Sequence, residues 1–160
     1  MVSSFFIYHK PKVIQALRYH FLNRKEIKAL LVLVNIFAII SAVLFYLNKI
    51  SPVAFLISSL LWFALMIIFW FVLPTVVYKN AHTFKDSFRT LLSENNFSIE
   101  NERGSKSWGW EEFSSFIESP HFFHLYFNSR SFFIIPKEAF EGDEEMEARK
   151  IFEKKINKKL

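Results

Sequence analysis

Two long uncharged runs dominate the polar and apolar pattern of this chain. Ala29–Leu47 (ALLVLVNIFAIISAVLFYL) has only Asn35 and Ser41 as clearly polar members. Its length is close to the ~20 residues that cross a ~30 Å hydrocarbon core. Asn48-Lys49-Ile50-Ser51-Pro52 interrupts the pattern, and Val53–Tyr78 follows as a second uncharged stretch, long enough to cross with tilt. Two core helices of a soluble protein would look alike locally, but 160 residues cannot wrap two such helices on every face. The short connection therefore predicts an antiparallel hairpin with spans at 29–47 and 53–78. Pro74 removes a backbone donor near the end of the second run and predicts a kink there. Trp62 and Trp70 lie within the run and read as packing residues, while Tyr46 and Tyr78 suit the interface. Asn35 and Ser41 are expected to hydrogen-bond across to the second helix.

Residues 1–28 have a different pattern. Val13, Ile14, Leu17 and Phe21 recur at helical spacing, and Pro11 suits a first helical turn. Lys12, Arg18, Arg24 and Lys25 occupy much of the opposite side. Two placements stay open for this basic amphipathic helix over 10–28. It can lie on an anionic membrane surface, with those four cations as lipid contacts, or pack its stripe on the C-terminal domain. Ser3–Tyr8 is strand-like and is placed to add an edge strand to that domain.

Residues 79–160 alternate in the short period of strands. The candidates are Thr83–Leu92, Phe97–Glu100, Ser107–Trp110, Phe113–Glu118, Phe122–Phe127 and Phe132–Ile135. Turns are expected at Asn95-Asn96, Arg103-Gly104-Ser105, Ser119-Pro120 and Asn128–Ser131, with Pro136 ending the last strand. A helix over about 143–158 closes the chain. Gly142-Asp143 offers its cap, Glu144, Glu145 and Glu147 suit its first turn, and Lys154, Lys155, Lys158 and Lys159 suit its end. Ala148, Ile151, Phe152 and Ile156 form its apolar stripe. The expected fold is a membrane helical hairpin plus an α+β domain, a small β-barrel or sandwich capped by a C-terminal helix.

Composition agrees with the hairpin: 52% of residues are hydrophobic, only 22% are charged, and Phe alone accounts for 21 positions. The net charge of +5 is unevenly spread. Met1–Lys79 holds eight basic residues and the single acid Glu26, whereas the remainder is slightly acidic. The basicity thus reads as membrane orientation and not as a nucleic-acid footprint. Six cations precede the first span and Lys49 alone sits in the connection, so both termini are expected in the cytoplasm. The first run begins too late and is too long for a cleaved signal peptide.

Little suggests reaction chemistry. The chain has no Cys and three Gly, which excludes disulfides, thiolate metal sites, a cysteine nucleophile and Gly-rich phosphate loops. His121 and His124 are three apart in a strand, so they face opposite sides and cannot share a metal ion. Glu111/Glu112 and the group Glu141, Asp143, Glu144, Glu145 lack the spacing of calcium loops and of paired catalytic carboxylates, and read as solvated turn and cap residues. No catalytic, metal or cofactor site is expected. No charged group lies within either span, so an ion relay has no carrier.

Three motifs carry a family resemblance. Trp108-Gly109-Trp110-Glu111-Glu112-Phe113 looks like a tryptophan-containing strand and turn, and Glu118–Tyr126 (ESPHFFHLY) is similar to an E-x-x-x-F-F-x-L-Y strand. Phe132–Phe140 (FFIIPKEAF) looks like the F-x-I-I-P-K-x-A-F ending before a last helix. With the hairpin ahead of them, they resemble the bacterial YcxB-like membrane protein family. The resemblance implies a multi-pass inner-membrane protein with a cytosolic pleckstrin-homology-like domain, and no reaction. Trp108, Trp110, Phe113, Phe122, Phe123, Leu125, Tyr126, Ile135, Pro136, Lys137 and Phe140 are then motif residues with core and corner roles. Such domains often meet anionic lipids through basic loops, for which Arg103 and Lys106 are the candidates, offset by Glu100 and Glu102. The expected function is a non-enzymatic membrane protein that presents an interaction module. Its expected partners are membrane lipids and a protein or a second copy, with no nucleic acid. The alternative is an immunity or stress-protection protein acting through its hairpin.

Overall fold

The computed structural model describes residues 1–156. Their elements run β1 (Phe6–Ile7), α1 (Lys10–Asn23), α2 (Lys25–Tyr46), α3 (Pro52–Ile67), a π-helical turn (Ile68–Val72), α4 (Leu73–Asn80), β2 (Ser87–Leu92), β3 (Asn96–Asn101), β4 (Gly104–Gly109), β5 (Ser115–Glu118), β6 (Phe122–Tyr126), β7 (Phe132–Pro136) and α5 (Glu144–Lys155). They form two compact units. One joins Met1–Ala16 to the chain from Ala81 onward, and the other is Leu17–Asn80.

The second unit contains the two apolar runs as helices. Both are long and apolar enough to cross a membrane, Lys25–Tyr46 with 22 residues and Pro52–Asn80 with 29. Neither α2 nor α3 buries a single residue, and large apolar side chains such as Val32, Ile39, Leu60 and Phe63 are exposed around them. The turn between them is built by local rules. Asn48 takes a positive φ of 54°, which Asn tolerates better than most residues. Lys49 N–H returns to the Leu44 carbonyl at 2.8 Å. The Ser51 hydroxyl then accepts from Ala54 N–H at 3.2 Å and Pro52 occupies the first turn, an ordinary helix start. Ser41 and Ser58 hydroxyls meet at 2.6 Å and Phe45 stacks on Phe55 at 4.5 Å, joining α2 to α3. Asn35 does not reach across as expected; its amide donates to the Leu31 carbonyl of its own helix at 2.7 Å.

In the first unit the hairpin interrupts a sheet. β1 pairs antiparallel with β2 (Phe6 opposite Phe88), and the four-stranded sheet has the order β1-β2-β3-β4. The second sheet is β5-β6-β7, again antiparallel. The N-terminal segment is tied to both. Ser3 N–H donates to the Thr90 carbonyl, Ser4 N–H to the Ala139 carbonyl, and the Tyr8 hydroxyl to the Ile134 carbonyl at 2.8 Å. Burial pushes the Tyr8 phenol well above its usual range, so it stays a donor. The start of α1 belongs here too. Val13 is fully buried, and Lys12 pairs with Glu138, so this half of the basic helix has the second of its two expected placements.

The core is aromatic. Phe97 from β3 and Trp108 from β4 meet Phe133 from β7 at 6.2 and 4.9 Å, which brings the inner faces of the two sheets together. Phe152 from α5 closes one end against Phe116, Phe123 and Trp110. Ala148, Phe152 and Ile156 form the buried stripe of α5, while Ile151 is only half-buried.

Some expected boundaries moved. The strand expected from Thr83 starts at Ser87, because a 3₁₀ turn occupies His82–Lys85. Trp110 leaves the strand for a 3₁₀ turn, where its Nε1–H donates to the Ser93 carbonyl at 3.1 Å. The basic helix expected over 10–28 breaks at Arg24, whose extended backbone starts α2 at Lys25. Asp143 makes no capping bond; the Glu144 carboxylate takes Glu141 N–H instead, and Gly142 turns the chain at φ 56°. The end of the closing helix expected near 158, with Lys158 and Lys159, lies outside the described residues.

Candidate functional site

The motif residues are where chain economy places them. Trp110, Phe113, Phe122, Phe123, Leu125, Tyr126, Ile135, Pro136 and Phe140 are all buried, and Trp108 is half-buried. They form the core that holds two surface features in place.

The first is a charged cluster that links three elements. Arg149 on α5 grips Glu118 at the end of β5 with two parallel bonds of 2.8 Å, Nε to Oε2 and a terminal nitrogen to Oε1. This fork suits guanidinium and carboxylate geometry. Lys137, just past β7, reaches the same Oε1 at 2.5 Å, and Glu145 accepts from Arg149 at 2.7 Å. Both cations also lie over the Phe123 ring, at 5.5 and 5.9 Å. The Arg149 bonds, helped by Lys137, hold the Glu118 carboxyl below its usual range, against the opposing effect of burial. The Arg149 guanidinium is raised in turn by the Glu118 bonds. Two motifs that the sequence presents separately, the Glu of one and the Lys of the other, therefore meet in one ion cluster. Each charged group of the cluster faces an opposite charge, so the arrangement ties α5 to the end of β5 and to the segment after β7.

The second feature is the open edge of the four-stranded sheet. β4 is its last strand, and Gly104–Ser107 are exposed. Its side chains follow strand alternation. Ser107 meets Ser98 hydroxyl to hydroxyl at 2.7 Å on one face, and Lys106 lies over the Trp108 ring at 5.2 Å on the other.

The six cations expected to meet lipid are divided between the two units. Lys12, Arg103 and Lys106 belong to the sheet unit, and Arg18, Arg24 and Lys25 to the helical unit. Arg103 pairs with Asp86 at 2.8 Å, and Arg24 stands 3.6 Å from Glu26. Lys25 is exposed in the first turn of α2. Arg18 has a position that its sequence neighbourhood does not signal. Pro74 has no N–H to offer the carbonyl four residues earlier, that of Trp70. Arg18 Nε donates to this carbonyl at 2.8 Å, and its guanidinium lies 5.2 and 5.3 Å from the Trp70 and Phe71 rings. The irregularity expected at Pro74 takes the form of a π turn, in which Leu73 N–H reaches back five residues to Ile68.

His121 lies outside β6 and is exposed, so the expected strand alternation does not apply to it. His124 is fully buried in β6, with Nε2 2.9 Å from the Ser119 hydroxyl. Among the described residues no group of His, Cys, Asp and Glu is placed to hold a metal ion.

Residues 92–150, from the end of β2 into α5, match the family model of the YcxB-like proteins. The resemblance carried by the three motifs holds over this stretch. No match was found among curated proteins or among solved structures.

Proposed function

We propose that the chain is a non-enzymatic, two-span protein of the bacterial inner membrane whose sheet unit is a cytosolic, pleckstrin-homology-like interaction module. The module binds a protein, or a second copy of itself, by strand addition at β4. The observation that carries this reading is the exposed β4 edge, whose row of backbone groups is a template for an incoming strand. Seven strands in two antiparallel sheets closed by one helix support the pleckstrin-homology-like assignment. Apolar side chains exposed all around α2 and α3 support insertion, since such surface is unfavourable in water and at home in hydrocarbon. The pairing of β1 with β2 supports a common side for the two flanks of the hairpin, because a strand pair cannot straddle a bilayer. The Lys and Arg bias supports the cytoplasm as that side.

A photoreactive residue placed in cells at Ser105, on β4, should give a discrete adduct, whereas one at Glu153, on the exposed side of α5, should not. An adduct of twice the chain mass would make the partner a second copy. Alternate residues of an edge strand point their N–H outward, so proline at those β4 positions should abolish the adduct and spare the fold. Equal adducts from both positions, or adducts indifferent to proline, would remove the β4 reading.

A further inference from the structure

The helical unit contains a groove of about 380 Å³, within the range of small-molecule sites. Leu31, Trp62, Met66, Trp70 and Phe71 line it, and Arg18 is its one charged wall residue. Arg18 is held there by its Nε bond to the Trp70 carbonyl and by the two aromatic rings. A guanidinium carries five N–H donors. With Nε committed to the carbonyl, the two terminal nitrogens retain four, in a fork that suits phosphate oxygens. Nearby in sequence stand Arg24, Lys25 and Lys28, with Glu26 as the only acid. An apolar channel with a fixed cation at its wall and a basic flank is complementary to one kind of molecule, an amphiphile with a hydrocarbon tail and an anionic head.

We propose that this groove is a binding site for an anionic phospholipid, with one acyl chain along Leu31, Trp62 and Met66 and the phosphate on Arg18. The site rests on the membrane reading given above. Pro74 then has a second role: it offers no N–H to the Trp70 carbonyl four residues earlier, and Arg18 Nε donates to that carbonyl.

The test uses the full-length protein in phosphatidylcholine bilayers. Part of the lipid is replaced by dibrominated phosphatidylglycerol or by dibrominated phosphatidylcholine, whose bromines quench tryptophan emission. Each basic side chain near a charged lipid surface favours the anion by about fivefold. Half-maximal quenching is therefore expected at an about fivefold lower mole fraction of the phosphatidylglycerol. Trp70→Phe should remove part of that difference and so assign it to the groove. Arg18→Gln should bring the two curves together while leaving the phosphatidylcholine curve in place. If Arg18→Gln shifts the phosphatidylcholine curve as well, Leu31→Phe takes its place, since it narrows the groove and keeps every charge; it too should merge the curves. Coincident curves in the unaltered protein, or a preference that persists in the variant, would overturn the site and leave the membrane reading intact. Absence of quenching by either brominated lipid would overturn both.

Discussion

At the scale of single residues, Glu118 carries the clearest pH signature. Its folded-state pKa lies below the ordinary value of 4.5, chiefly through Arg149. Its contribution is therefore fully present above pH 4.5 and is lost as pH falls through the lower folded value. Glu118→Gln should destabilise the protein at pH 7 by about 1–2 kcal/mol, nearer the lower figure because the group is partly exposed to screening solvent. It should also flatten the acid limb of the stability profile. Denaturant titrations from pH 7 to pH 3, followed by tryptophan fluorescence, would measure both, and an unchanged acid limb would exclude this carboxylate. His20 adds a slope of its own. Burial and the neighbouring Arg24 charge lower it to about 4, so the unfolded chain takes a proton that the folded chain refuses. Stability should thus fall as pH drops from about 6.5 towards 4, and His20→Gln should remove that part of the decline in the same titrations.

Elements are held together here mainly by aromatic surface. Phe152 is the hub of α5 and meets Phe116 and Phe123 of the second sheet and Trp110 of the 3₁₀ turn after β4. Phe152→Ala should cost about 3–5 kcal/mol, whereas Met146→Ala on the exposed side of the same helix should stay within about 0.5 kcal/mol. Thermal or chemical melts of the two variants would separate these outcomes. The α5 stripe was legible in the sequence because helical spacing places Ala148, Phe152 and Ile156 on one line. The strands were legible for the same reason, with errors where local turns override alternation, as at Thr83 and Trp110. The ion cluster was not legible as a cluster. Glu118, Lys137 and Arg149 come from three separate segments, and only the register of β5 against β6 and β7 and the seating of α5 bring them together. The same holds for Arg18 and the Trp70 carbonyl, which are 52 residues apart in sequence. A periodic pattern records which face is buried; it does not record which distant backbone group needs a donor.

For the whole molecule, the decisive fact is that one sheet is assembled from both sides of a helical insertion. Deletion of residues 2–8 removes β1 and the bonds of Ser3, Ser4 and Tyr8 to Thr90, Ala139 and Ile134. On the proposed membrane reading the hairpin should still insert, because its helices form from local sequence, but the remaining sheet unit should become sensitive to trypsin. Limited proteolysis of membrane vesicles would reveal this, and a digestion pattern equal to that of the intact protein would show that β1 is dispensable.

The interrupted sheet also sets an order of events during synthesis. At ~5–20 residues per second, β1 leaves the ribosome several seconds before β2 exists. Through that interval Phe6 and Tyr8, buried at the end, have no partner strand. If the hairpin spans the membrane as proposed, only a chain that has turned back to its starting side can reunite the two pieces. On the membrane reading proposed above, completion of the module is then a built-in report of correct insertion: a misoriented chain would display neither a finished sheet nor the proposed β4 docking edge, and would be open to proteolysis.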